Sequence, residues 1–148
     1  FFKADKLRRR LPKYVEEEFT IVEDKIKVRG RWDLVETDKG RDYIVDFKSS
    51  EVRSQVDADR RAKESLQLAI YALAWQKMFG KLPDGLQLYF LETGLVGTTQ
   101  KTMADLKKTW EKIKKVADGI RAASFTATPS YIACGYCPYR EICPSSMA

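Results

Sequence analysis

The sequence predicts an α/β fold in which a mixed sheet is flanked by helices, and three observations predict it. Residues 26–36 and 42–49 alternate in the period of two that marks strands, with a polar turn between them. Residues 62–79 carry a helical pattern, followed by a short apolar run at 86–91. A second amphipathic stripe, Leu106, Trp110, Ile113, Ala117 and Ile120, closes the chain's regular part. Helix, strands, helix, strand, helix is the succession of an α/β sandwich.

Taken in order, residues 3–11 read as the end of a helix stopped at Pro12, and residues 14–22 as a strand with Phe19 and Ile21 facing inward. Glu23-Asp24-Lys25 turns the chain into the next strand. There Ile26, Val28, Gly30, Trp32 and Leu34 alternate with Lys27, Arg29, Arg31, Asp33 and Val35. Thr37-Asp38-Lys39-Gly40-Arg41 is a turn, so residues 42–49 fold back as the second arm of a hairpin, with Ile44, Asp46 and Lys48 on one side. The charged stretch 51–61 shows no clear period and reads as a loop that meets substrate. The helix over 62–79 ends at Gly80 and Pro83, and Thr102 caps the last helix with Asp105 at its third position. From Ser124 onward the Pro- and Cys-bearing tail reads as irregular.

At 148 residues, 44% hydrophobic and 32% charged, the chain is long enough for one core and short for two. We expect a single domain over residues 1–148, taken from something longer, because Phe1 is neither an initiator Met nor part of a signal-peptide pattern. No apolar run approaches the roughly 20 residues that span a bilayer. The net charge is +6, with a pI near 9.2. Basic residues gather at Lys3, Lys6, Arg8, Arg9, Arg10 and Lys13, at Arg29 and Arg31, and at Arg53, Arg60, Arg61 and Lys63. Each run alone fits a solvated face; placed around an acidic site, they point to a polyanionic partner.

That site is Asp33 in Gly30-Arg31-Trp32-Asp33, together with Asp46-Phe47-Lys48. A hairpin brings Asp33 beside Asp46 and Lys48. Two carboxylates about 4 Å apart repel by about 1 to 4 kcal/mol and raise one another's pKa unless a cation intervenes. Lys48 supplies one positive charge and a divalent ion would supply the rest. Oxygen donors favour a hard ion such as Mg²⁺ or Mn²⁺, and the chain has no histidine for a zinc site of the usual kind. The same residues also fit a plain cross-strand Asp–Lys pair on a half-exposed hairpin.

The larger pattern decides between them. Gly30-Arg31-Trp32-Asp33, then Asp46-Phe47-Lys48-Ser49-Ser50, then Gln67-Leu68-Ala69-Ile70-Tyr71, then Cys134-x2-Cys137-x5-Cys143-Pro144 occur in that order. Together they resemble the RecB-like branch of the PD-(D/E)xK nuclease superfamily, as found in AddB and in UvrD-type helicase polypeptides. The resemblance runs from about Val15 to Pro144. It implies a restriction-endonuclease-like core and an intracellular, prokaryotic-type, hence cytoplasmic, Mg²⁺-dependent deoxyribonuclease, expected to be an exonuclease. It also implies a role in DNA recombination and repair, with a helicase domain in the same polypeptide or complex. Residues 1–148 would be the C-terminal nuclease domain of that polypeptide, with residues 124–148 as its Cys-bearing tail.

By the same resemblance Asp33, Asp46 and the Phe47 carbonyl hold the metal, and Lys48 completes the catalytic set. Gln67 and Tyr71 support it, and Glu16 matches an acidic position near the family's first strand, where a solvent-facing role fits equally. Arg29, Arg31, Ser49, Arg60 and Arg61 are the expected DNA contacts, with Ser50 beside them. Cys134, Cys137 and Cys143 have the spacing of the C-terminal ligands of a 4Fe-4S cluster. Such a cluster needs four thiolates, so it requires a fourth Cys from outside this chain; the alternatives are a zinc site completed by another group, or a relic of the cluster in which the cysteines merely pack. The family's metal-binding His on a preceding helix has no counterpart here. A competing reading is a degenerate, DNA-gripping scaffold of a helicase, against which the intact Asp33, Asp46 and Lys48 speak. An RNA-directed or restriction-type nuclease on the same fold is a third.

Overall fold

The computed structural model describes residues 10–147. They form two compact units, described over residues 10–114 and 115–147. The first unit holds a five-stranded sheet in sequential order, β1 (Leu11–Glu23), β2 (Ile26–Asp38), β3 (Arg41–Lys48), β4 (Gly85–Phe90) and β5 (Val96–Thr99). All neighbours are antiparallel except β3 and β4, which run parallel. A parallel pair needs a crossover, and the chain supplies it as two helices, α1 (Gln55–Glu64) and α2 (Leu66–Phe79). Helix α3 (Met103–Arg121) begins in this unit. The second unit takes the end of α3 and a single short turn of helix, α4 (Tyr131–Gly135).

The hairpins follow from their turns. Asp24 and Lys25 both adopt positive φ between Glu23 and Ile26, and Lys39 and Gly40 do so between Asp38 and Arg41. Two successive left-handed residues make the tight turn whose twist matches the strands. The 3–11 helix is not found where it can be seen: residues 3–9 lie outside the described residues, and Leu11 and Pro12 already belong to β1. Pro12 is tolerated there because β1 is an edge strand and its missing N–H costs no inner ladder bond.

The stretch 51–61 expected as a loop is irregular over 51–54 and helical from Gln55 onward. Ser54 accepts the Asp57 N–H at 3.1 Å and starts α1, whose buried face is made of Ala58 and Ala62. Those alanines pack against β5 at Gly97, where a Cβ would lie 2.0 Å from the Ala58 carbonyl oxygen. Asp59 accepts the Thr98 N–H at 2.8 Å, and Gln55 donates to the Val96 carbonyl at 2.8 Å. The free edge of β5 is thereby covered rather than left open. The helix expected over 62–79 is broken at Ser65, which ends α1 and caps α2 by accepting the Leu68 N–H at 3.2 Å. Gly80, in the left-handed region, terminates α2. Thr102 and Asp105 cap α3 reciprocally, as expected.

The core between β1, β2 and α2 is aromatic. Trp32 lies 4.9 Å from Phe19 and 5.6 Å from Trp75 of α2 between ring centroids, and Tyr14 meets both tryptophans. Gly30 is required beneath Phe19, because a Cβ there would sit 2.3 Å from the ring. This cluster clamps α2 onto β1 and β2 and fixes which face of α2 turns toward β3.

Candidate active site

Asp33 on β2 and Asp46 on β3 meet because of register. Val35 pairs with Ile44 and Leu34 with Val45, which places Asp33 opposite Asp46 one step further along. At that step the backbone ladder gives way to a side chain: the Phe47 N–H donates to Asp33 Oδ2 at 2.9 Å. Asp46 is buried, 1% exposed, and beside it on the same strand face stands Lys48. Lys48 Nζ approaches Asp46 Oδ2 to 2.7 Å as an ion pair outside hydrogen-bond alignment.

Helix α2 closes the cluster from above. Gln67 Nε2 donates to Asp46 Oδ1 at 2.7 Å and to the Tyr71 hydroxyl at 2.8 Å, while Gln67 Oε1 accepts from Lys48 Nζ at 2.7 Å. The Tyr71 hydroxyl also reaches Asp46 Oδ1, at 3.4 Å. Gln67 and Tyr71 do this together because they are one helical turn apart, on one face. Burial pushes the Asp46 carboxyl above the ordinary carboxylate range; Lys48 pulls it back, the Asp33 charge pushes it further up, and the net direction is upward. Burial likewise raises the Tyr71 hydroxyl to about 12, so it remains a proton donor at any physiological pH.

The donor set fits a hard divalent cation. Two carboxylates converge with one ammonium, which pairs with Asp46, and so leave negative charge uncompensated at a site where Asp46 is buried and Asp33 half-buried. Mg²⁺ commonly takes only one or two protein carboxylates and fills its remaining positions with water and phosphate oxygens. Among the described residues no group of three or more His, Cys, Asp or Glu side chains could hold a metal, so the site offers two carboxylates rather than a cage.

The remaining sequence-derived residues are placed as follows. Glu16 lies on β1 between the pairs Val15–Leu34 and Glu17–Trp32, level with Asp33, in a left-handed backbone conformation. Its carboxylate is held by Arg31 at 2.8 Å, so two expected site residues are partners of one another. Arg29, Ser49 and Ser50 are exposed. Arg60 and Arg61 stand on α1 rather than on a loop, Arg60 paired with Asp57 and Glu64, Arg61 with Asp57 at 3.5 Å. They line a cleft of about 580 Å³ that opens directly after β3, with Arg53 and Ser54 on its wall. In the second unit, Cys134, Cys137 and Cys143 are free thiols, half-buried in a segment otherwise mostly exposed. The structure does not gather them into a metal-holding group.

A family model described as the PD-(D/E)XK nuclease superfamily matches residues 2–144. The chain belongs to that superfamily, and membership implies a nuclease, a class that typically uses Mg²⁺ or Mn²⁺. The mixed sheet flanked by helices is the corresponding restriction-endonuclease-like fold. Among solved structures it is similar to one titled "Crystal structure of SSO0001", with a TM-score of 0.57 and 15% identity. The match covers 91% of this chain and 61% of that one, a likeness of fold. No curated protein matches the chain. Among the described residues no helix is long and apolar enough to cross a membrane.

Proposed function

We propose that this chain is a Mg²⁺- or Mn²⁺-dependent deoxyribonuclease of the RecB-like type. The observation that carries the reading is the convergence of Asp33, Asp46 and Lys48, locked by Gln67, at the junction of β2, β3 and α2. Asp33, Asp46 and the Phe47 carbonyl would hold the ion, which supplies Lewis-acid polarisation of the scissile phosphate and a more acidic water. Lys48 is the mobile charge of the site. Its ammonium is only partly buried and is shared between Asp46 and Gln67, so it can swing to the phosphate as negative charge grows there. Gln67 and Tyr71 hold Asp46 in one rotamer and so fix the direction of its free lone pairs. Glu16 holds Arg31, two residues before Asp33 on β2, and the guanidinium would meet an incoming backbone.

The order of motifs supports an exonuclease module working with a helicase in DNA recombination and repair. The substrate strand would leave along the cleft of Arg53, Arg60 and Arg61, and the exposed Arg29, Ser49 and Ser50 would be further contacts. Cluster binding by Cys134, Cys137 and Cys143 requires a fourth thiolate from beyond these 148 residues.

Incubating the protein with end-labelled linear DNA and with closed circular DNA, in Mg²⁺ and then in excess chelator, tests the reading. Degradation of linear DNA alone, abolished by chelator and restored by Mn²⁺, is expected. Cleavage that survives chelation would refute metal dependence; cutting of the circle would replace exonuclease with endonuclease.

A further inference from the structure

A second basic surface lies away from Arg53, Arg60 and Arg61. Where the α1–α2 junction meets α3, a groove of about 170 Å³ is lined by Lys63, Lys101, Lys108 and Lys112, with Ser65 and Asp105 among its other walls. All of these residues lie in the first unit. The two acidic residues on its wall make their close contacts with other partners, and their two charges do not balance four lysines. Asp105 is taken by the backbone N–H and hydroxyl of Thr102, at 2.9 and 2.7 Å, and Glu64 by Arg60 at 3.2 Å. Lys101 donates to the Lys63 carbonyl at the end of α1. None of the four lysines forms a salt bridge among the described residues; Asp105 attracts Lys101 and Lys108 only at longer range.

The arrangement costs stability unless an anion offsets it. Lys108 and Lys112 are four apart on one helix face, a like-charged spacing that disfavours the helix. Burial lowers the Lys101 ammonium's pKa; Asp105 raises it and Lys63 lowers it, with a net downward direction. The wall of the groove also includes Leu66, the neighbour in sequence of Gln67, which grips Asp46 and Lys48. The groove and the acidic site therefore both adjoin the start of α2.

We infer that the groove of Lys63, Lys101, Lys108 and Lys112 is a second phosphate track that holds the DNA backbone flanking the scissile bond. This rests on the nuclease reading and extends it: the substrate is a long polynucleotide gripped at two places, and short oligonucleotides meet the catalytic residues alone.

The test uses Lys108→Ala/Lys112→Ala, both exposed helix positions, in the full chain. A control, Lys107→Ala/Lys114→Ala, removes the same charge from α3 outside the groove. Binding to a long duplex and to a long single strand is titrated over a range of salt with chelator present, so that no cleavage is needed. The log–log salt slope is expected to flatten in the groove variant by about 1.8 on duplex or about 1.4 on single strand, two phosphates' worth, and whichever changes identifies the form bound. The control should retain most of the slope. In Mg²⁺, dinucleotide cleavage should match the unsubstituted protein while long-DNA cleavage at low concentration falls several-fold. Equal losses in the groove and control variants would reduce the effect to net charge and overturn the track, as would an unchanged slope. Absence of cleavage by the unsubstituted protein would count against the nuclease reading instead, leaving the binding comparison to judge the groove. Helicity and melting temperature are measured alongside; if the Ala pair unfolds, Lys108→Gln/Lys112→Gln is used, and the same slope criterion applies.

Discussion

Asp33 Oδ2 accepts the Phe47 backbone N–H at 2.9 Å, so a site carboxylate on β2 replaces the next rung of the ladder between β2 and β3. The bond anchors one oxygen of Asp33 and holds β3 at the residue whose carbonyl is the third oxygen donor we assign. Asp33→Asn keeps an acceptor for Phe47 but removes the charge. It should abolish cleavage while its melting temperature stays near that of the unsubstituted protein. Asp33→Ala should lose both activity and about 1 to 3 kcal/mol of stability, because a partly buried N–H is left unpaired. Paired activity assays and thermal melts separate the two; equal stability in both variants would mean that the bond does not hold the strand.

Gln67 is the joint of the site, touching Asp46, Lys48 and Tyr71 at once. Gln67→Ala should reduce the cleavage rate by about 10- to 100-fold, the usual cost of losing a group that orients a ligand. Tyr71→Phe should cost less, since its hydroxyl reaches Asp46 only at 3.4 Å. Metal titration of the cleavage rate checks the role: half-saturation should move to higher Mg²⁺ in the Gln67 variant. A fall in rate with no change in metal requirement would assign Gln67 to DNA contact instead.

Far from the site, a buried carboxylate ties the opposite end of β3. Asp42 accepts from Lys13 at 3.1 Å and Lys81 at 3.0 Å, and its N–H donates to Asp84 Oδ2 at 2.7 Å. Burial alone would raise its pKa, but the Lys81 and Lys13 hydrogen bonds and charges outweigh that, and the net direction is downward. A carboxyl whose pKa is depressed by folding contributes stability that is complete above its unfolded pKa and lost as pH falls through the folded one. Melting temperature should therefore drop below the ordinary carboxylate range. Asp42→Asn should be less stable at neutral pH and lose less on acidification. Parallel acid-side slopes in the two proteins would rule Asp42 out as the source.

Gly97 is held against α1 with no room for a side chain. Gly97→Ala must push the Ala58 carbonyl away from β5, at a cost of about 1 to 3 kcal/mol by overpacking. Denaturant titration measures it. A neutral result would show that α1 shifts freely on the edge strand.

The same contact explains part of what the sequence concealed. A helix face usually declares itself through large apolar residues, but α1 buries only Ala58 and Ala62 against a glycine, leaving a stretch whose visible character is charge. Strand β5 was hidden likewise: Val-Gly-Thr-Thr shows no alternation of apolar side chains, and its place is fixed by Gln55 and Asp59 of α1. The break at Ser65 was obscured by apolar residues running on through it, although a serine three residues before the Leu68 N–H is a usable cap signal. By contrast, β2, β3 and the meeting of Asp33, Asp46 and Lys48 were legible, because a hairpin's register follows from its turn and its alternation. The Gln67–Tyr71 face was legible from helical spacing. Its contact with Asp46 depends on how the aromatic cluster seats α2, a tertiary relation that no local pattern carries. The pairing of Arg31 with Glu16 also escaped, since it needs the β1–β2 register, and Glu16 has an unusual positive φ for a strand residue.

Whether the cluster is a catalyst is tested most directly at Lys48. Its ammonium spans Asp46 and Gln67, and removing it leaves both carboxylates, with a thermal melt to check that the fold persists. Lys48→Ala should bind DNA in chelator with nearly unchanged affinity and show no Mg²⁺- or Mn²⁺-dependent cleavage above background. Metal-dependent cleavage by Lys48→Ala at the rate of the unsubstituted protein would contradict the account.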